Sequence, residues 1–128
     1  MTIHLDHTIV PSRDKKKSAR LLADLLGVAW AESEPNTPFA PVYVNDGLTL
    51  DFIDTADEFP VYHFCFRVSP AEFDTILGRI KAAGIPFRST VRGPMDMKVD
   101  PHYGNVYWNE PDGHMWEILT VSYARPKG

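Results

Sequence analysis

The sequence predicts an α+β fold in which a βαβββ module is used twice. Three observations predict it. The alternation of strand-like and helix-like spacing in residues 1–57 recurs over 58–124, an Asp-Gly turn sits late in each half (Asp46-Gly47 and Asp112-Gly113), and the residues after those turns match position by position. With 128 residues, 44% hydrophobic and 23% charged composition, the chain reads as one domain with a sizeable core.

The elements follow in order. Ile3, Leu5, His7 and Ile9 alternate as a strand that ends at Pro11-Ser12, and Ser12 is placed to cap the next helix. Ala19, Leu22, Leu25 and Leu26 give that helix its buried stripe, with Gly27 as a left-handed cap. After a possible extra strand in 28–32 and a loop with Pro35, Pro38 and Pro41, residues 42–45 and 48–54 form a hairpin around Asn45-Asp46-Gly47. The second half opens with a strand over 61–68. Ser69-Pro70-Ala71-Glu72 is a capping box with proline at the first helical position, and Phe73, Ile76, Leu77 and Ile80 form the stripe before Gly84. A short strand over 85–89, a loop with Gly93, Pro94 and Pro101, a strand from Asn105, and a final strand over 114–122 complete it.

Composition excludes several function classes. Thirteen Lys plus Arg against seventeen Asp plus Glu leave a net charge of −4, which argues against a nucleic-acid partner held by phosphate neutralisation. Arg13, Lys15, Lys16, Lys17 and Arg20 are read as a solvated face, with an anion lure as the alternative. The lone Cys65 excludes an internal disulfide, and no secretory or membrane-spanning stretch is visible, so a cytoplasmic protein with no membrane partner is expected.

The internal match carries the chemistry. Asp46-Gly47-Leu48-Thr49-Leu50-Asp51 lies on Asp112-Gly113-His114-Met115-Trp116-Glu117, and Asp6-His7-Thr8-Ile9-Val10 lies on Tyr62-His63-Phe64-Cys65-Phe66. Each half thus offers a histidine on its first strand and a carboxylate on its last, 44 residues apart from His7 to Asp51 and 54 from His63 to Glu117. Period-2 parity turns Leu50, Phe52, Phe64, Phe66, Trp116 and Ile118 towards the helices and leaves His63, Cys65, Asp51 and Glu117 on the other faces. A curved sheet would make those faces the wall of one cavity.

A buried carboxylate is costly unless it is paired or binds a cation, and two histidines plus one carboxylate form the ligand set of non-heme Fe(II) oxygenases, which also suits Zn, Mn, Co or Ni. Taken singly, each residue has a plainer reading, a hydrogen-bonded structural histidine or a rim carboxylate. The repetition in both halves favours the metal. His4 and His114 are read as structural, and Cys65 as a small buried hydrophobe.

His7, His63 and the stretch Pro111-Asp112-Gly113-His114-Met115-Trp116-Glu117, set in paired halves, resemble the vicinal oxygen chelate superfamily, which includes glyoxalase I, fosfomycin-resistance transferases, bleomycin-binding proteins and extradiol dioxygenases. The resemblance implies curved mixed sheets around a divalent metal held by His7, His63 and Glu117. It puts Asp51 where glyoxalase I-like members supply a Glu, and it implies a homodimer acting on a small molecule. The run from Val106 to Glu117 is similar to the extradiol signature, which makes Tyr107 and His102 candidates to bind substrate or move its proton. Fe(II)-dependent ring cleavage is the expected activity. A glyoxalase I-like lyase or isomerase, with Glu117 or Asp51 as base, is the first alternative. A ligand-binding protein with a groove of Trp30, Tyr103, Tyr107, Trp108 and Trp116 is the second. No residue is assigned to an organic cofactor. Asp96, Lys98, Asp100, His102 and Tyr103 are expected to form a lid.

Overall fold

The computed structural model describes residues 2–32 and 37–125, so Pro35 of the expected proline-rich loop lies outside the described residues. The chain forms two compact units, Met1–Pro60 and Val61–Gly128. Each repeats the strand, helix and strands of the expected α+β module. No described helix is long and apolar enough to cross a membrane.

In the first unit, β1 (His7–Ser12), α1 (Lys15–Leu26), β2 (Ala29–Trp30), β3 (Phe39–Asn45) and β4 (Leu48–Asp54) build a four-stranded sheet of order β1-β4-β3-β2. β1 runs parallel to β4, and the other pairs are antiparallel. Alternate residues Val10, Ala40, Val42, Leu50 and Phe52 are buried together with Ala19, Leu22, Ala23 and Leu25 of α1. That core is what amphipathic spacing on both elements provides. Leu26, expected in the stripe, is only half-buried, and Ala23 takes a core place instead.

Asp14, not Ser12, caps α1: its carboxylate accepts from the Lys17 amide at 3.2 Å. Ser12 remains the last residue of β1, where its hydroxyl accepts from the Asp14 amide and meets the Ser18 hydroxyl at 2.6 Å. The serine stabilises the turn into the helix, which leaves the cap itself to the next acceptor along the chain. Gly27 closes α1 in the left-handed region, at φ 75°. The basic cluster is used within the unit. Arg13 Nη1 donates to the carbonyls of Thr55, Ala56 and Asp57 while its guanidinium covers the Phe59 ring, and Lys15 Nζ donates to the Pro38 carbonyl.

In the second unit, β5 (His63–Arg67), α2 (Pro70–Ala82), β6 (Asn105–Asn109) and β7 (Met115–Leu119) give a sheet of order β5-β7-β6. β5 and β7 are parallel, β6 and β7 antiparallel. The capping box forms as the sequence indicates: Ser69 Oγ accepts from the Glu72 amide and Glu72 accepts from the Ser69 amide. Phe73, Ile76, Leu77 and Ile80 are all buried.

The strand expected over 85–89 is reduced to one bridge, Arg88 with Tyr107. Pro86 has no amide to donate, and the Phe87 carbonyl accepts from Met97 of the following loop, so the ladder cannot extend. The last strand stops at Leu119 rather than running to 122, because the Thr120 amide turns to the Tyr103 and Gly104 carbonyls. Trp108 and Trp116, considered above as groove residues, are 1% exposed and belong to the core.

Candidate metal centre

The parallel pairing of β5 with β7 sets His63 opposite Met115 and Cys65 opposite Glu117, and places Tyr107 opposite Glu117 from the other side. Direct partners in a sheet project to the same face, so Cys65, Glu117 and Tyr107 form one cross-strand row with His63 one step along. The first unit has the same register. His7 lies opposite Thr49 and Ile9 opposite Asp51, so His7 and Asp51 stand to each other as His63 and Glu117 do.

Glu117 is fully buried, on the strand face opposite to Trp116 and Ile118. Tyr123 OH donates to both of its oxygens, at 2.6 and 2.8 Å, and Asn105 Nδ2 donates to Oε2 at 2.8 Å. His63 Nε2 approaches Oε1 at 3.1 Å. The other ring nitrogen of His63 lies 3.1 Å from the Met115 carbonyl, which can only accept, so Nδ1 carries the proton. In neutral His63 the Nε2 lone pair therefore points at a carboxylate oxygen. Two acceptors face to face require a proton or a metal ion between them.

The separation suits a metal. Two ligands at right angles about a divalent ion, each about 2.1 Å from it, lie ~3 Å apart. A ligating histidine generally donates its second N–H to a carbonyl or carboxylate, as His63 does here. His7 is prepared in the same way: its Nδ1 donates to Asp6 at 2.7 Å, leaving Nε2 open. That hydrogen bond is the main cause of its raised pKa. Asp51, half-buried, has its carboxyl raised by partial burial, an effect that His7 opposes and Asp6 reinforces. Among the described residues no group of three or more His, Cys, Asp or Glu side chains converges, so the donors come as pairs within units.

The other expected residues are placed as follows. The Tyr107 hydroxyl lies 3.2 Å from Tyr123 OH and accepts from Asn105 Nδ2 at 3.3 Å, and its ring centre is 6.0 Å from that of His63. Burial is the largest cause raising the Tyr107 pKa. His102 does not reach the carboxylate. It is exposed, its ring is edge-on to Tyr103 at 4.4 Å, and Tyr103 in turn packs edge-on against Tyr123 at 5.2 Å. Cys65 is exposed in its unit, contrary to the expectation of a buried hydrophobe. Its thiol is nonetheless pushed up to about 12, by desolvation first and then by the Glu117 charge.

His114 is structural. It is fully buried, its Nδ1 accepts from the Tyr62 amide at 3.0 Å, and its ring stacks on Tyr62. His4 precedes β1 and is exposed. The expected lid residue Asp96 ties its own loop together, accepting from the Ser89 amide and hydroxyl and from the Lys98 amide.

Sequence reasoning missed Asn105 and Tyr123, the two donors that hold Glu117. A signal existed for both. Asn105 shares parity with Tyr107, and counting by twos from Glu117 reaches Tyr123, although the strand itself ends at Leu119.

No family model and no curated protein sequence matches the chain. Solved structures do. "Oxidase ChaP-H2" is 40% identical, with 97% of this chain and 98% of that chain covered and a TM-score of 0.86. A glyoxalase/dioxygenase from Nostoc punctiforme is 23% identical, with 92% and 90% covered and a TM-score of 0.69. The fosfomycin resistance protein FosX from Listeria monocytogenes, complexed with Mn(II) and sulfate, is 20% identical, with 96% and 94% covered and a TM-score of 0.67. The last two share the fold.

Proposed function

The chain belongs to the vicinal oxygen chelate superfamily, and from that premise we propose that it is a divalent-metal oxygenase acting on a small substrate with two adjacent oxygens, with His63, Glu117 and His7 as ligands. The observation that carries this reading is the facing of His63 Nε2 and Glu117 Oε1 with His63 Nδ1 already committed to the Met115 carbonyl. His7 enters the set on the family resemblance and on its own preparation by Asp6. The 40% identity to a protein named as an oxidase supports the oxidative branch over the glyoxalase-like one, and Fe(II) is the metal that suits O2 chemistry with this ligand type.

The metal would supply Lewis acidity towards two vicinal oxygens and, as iron, an electron source for O2. The chain's own contribution is positional. Asn105 and Tyr123 fix the Glu117 carboxylate, and the Met115 carbonyl fixes the His63 ring. Tyr107, whose ring lies beside His63, would exchange its hydroxyl contact with Tyr123 for one with a substrate oxygen. Asp51, in the first unit, would accept a proton.

Elemental analysis of protein loaded anaerobically with Fe(II), in the unaltered chain and in Glu117→Ala and His63→Ala, tests the ligand set. One equivalent in the first and loss in the variants is expected; stoichiometry near zero in the unaltered protein overturns it. Oxygen uptake with a panel of catechols supports the oxygenase. Turnover of hemithioacetals without O2 would instead assign the glyoxalase-like activity.

A further inference from the structure

Arg88 is 7% exposed, yet among the described residues its guanidinium has no carboxylate partner. All five of its N–H donors go to neutral acceptors. Nε and Nη2 share the Val91 carbonyl at 3.3 and 3.1 Å, Nη1 donates to Asn109 Oδ1 at 2.9 Å and to Met95 Sδ at 3.5 Å, and Nη2 donates to Met115 Sδ at 3.0 Å. A thioether is a weak acceptor on a flexible stem, so two of the five bonds are of a kind that a better acceptor displaces. A buried cation satisfied only by dipoles and sulfurs is poised for an anion.

Its position says which anion. Arg88 pairs with Tyr107, which pairs with Glu117, so Arg88 extends the row of Glu117 and Tyr107 on the same face of the sheet. Two strand spacings separate it from Glu117, about 10 Å. Met115 links the two places directly: its carbonyl accepts from His63 Nδ1 and its sulfur accepts from Arg88 Nη2. The loop residues that meet the guanidinium, Val91 and Met95, are themselves part-exposed apolar side chains suited to a substrate's hydrocarbon body.

We propose that Arg88 is a specificity-determining residue that receives a carboxylate carried by the substrate, the guanidinium fork engaging both oxygens after Met95 and Met115 yield their places. The assignment rests on the oxygenase reading for the placement of the substrate's vicinal oxygens at His63 and Glu117. It also predicts anion binding when no metal is present.

The test compares 3,4-dihydroxybenzoate with 4-methylcatechol on anaerobic iron-loaded protein, and benzoate with benzyl alcohol on metal-free protein while the Arg88 Nε–H signal is followed by NMR. A preference for the carboxylate catechol of about tenfold or more is expected, since a charge-assisted bidentate pair is roughly twice as strong as a neutral one. Arg88→Gln should lose that preference and keep its affinity for 4-methylcatechol, and Arg88→Lys should retain part of it. Benzoate, not benzyl alcohol, should move the Arg88 signal. Equal affinity for the two catechols in the unaltered protein, a preference that survives Arg88→Gln, or a signal indifferent to benzoate overturns the assignment. The NMR arm needs no variant to fold. A chain that takes up no iron but shifts the Arg88 signal with benzoate overturns the metal reading and supports the anion site, so the two failures are separable.

Discussion

Asn105 Nδ2 donates to Glu117 Oε2 at 2.8 Å while Asn105 Oδ1, buried, has no hydrogen-bond partner among the described residues. An unpaired buried amide oxygen costs on the order of 1–3 kcal/mol, and the fold keeps it. The orientation follows from the neighbour: turned the other way, the amide would set its oxygen against the carboxylate.

Asn105→Leu removes the orphaned oxygen together with the donor. Folding stability should change little, whereas Fe(II) affinity should fall about 10–100-fold, as for loss of a residue that orients a ligand. Competition against a metal-sensitive dye reads this. An unchanged affinity would show that Glu117 needs no help from Asn105.

Tyr123→Phe deletes a hydroxyl that reaches both Glu117 oxygens. In metal-free protein the buried carboxylate is left with fewer donors, and the loss should be about 1–3 kcal/mol in urea unfolding. Loading with metal should shrink the difference, because a cation then satisfies the same oxygens. A difference of equal size with and without metal would place the effect elsewhere.

His114→Ala empties a fully buried site between Tyr62 and Trp116 and strands the Tyr62 amide. A cost of ~2–5 kcal/mol is expected from cavity and lost acceptor together. Metal stoichiometry of the folded fraction should remain that of the unaltered chain. A loss of metal with stability intact would make His114 a ligand after all.

Glu72 is held below its ordinary value near 4.5 by the backbone and side-chain hydrogen bonds of Ser69. A depressed carboxyl contributes stability above its unfolded pKa and loses it as the pH falls through the folded one. Glu72→Gln should therefore lower the Tm at pH 7, and the gap from the unaltered protein should close as the pH falls below about 4. Thermal scans across that range check it, and a gap constant with pH would exclude the carboxylate as its source.

Much of the fold was legible in the sequence. Period-2 alternation, the Asp-Gly turns and the Ser69 capping box are local, and each acts within a few residues of itself, so the sequence determined the repeated α+β module and the face on which Glu117 lies. The match between halves was legible for the same reason and puts His7 and Asp51 where His63 and Glu117 lie; the parallel pairing of first with last strand, which makes each pair diagonal neighbours, was not. Tertiary structure alone decided how the carboxylate is held and what lies beside it. Tyr123 reaches Glu117 after the strand has ended, Arg88 reaches Met115 across 27 residues, and His102 is turned to Tyr103 instead of the carboxylate. Those contacts depend on where loops return to the sheet. Loop paths are fixed by the sum of distant hydrogen bonds, such as the Thr120 amide to the Tyr103 carbonyl, and not by any periodicity written along the chain.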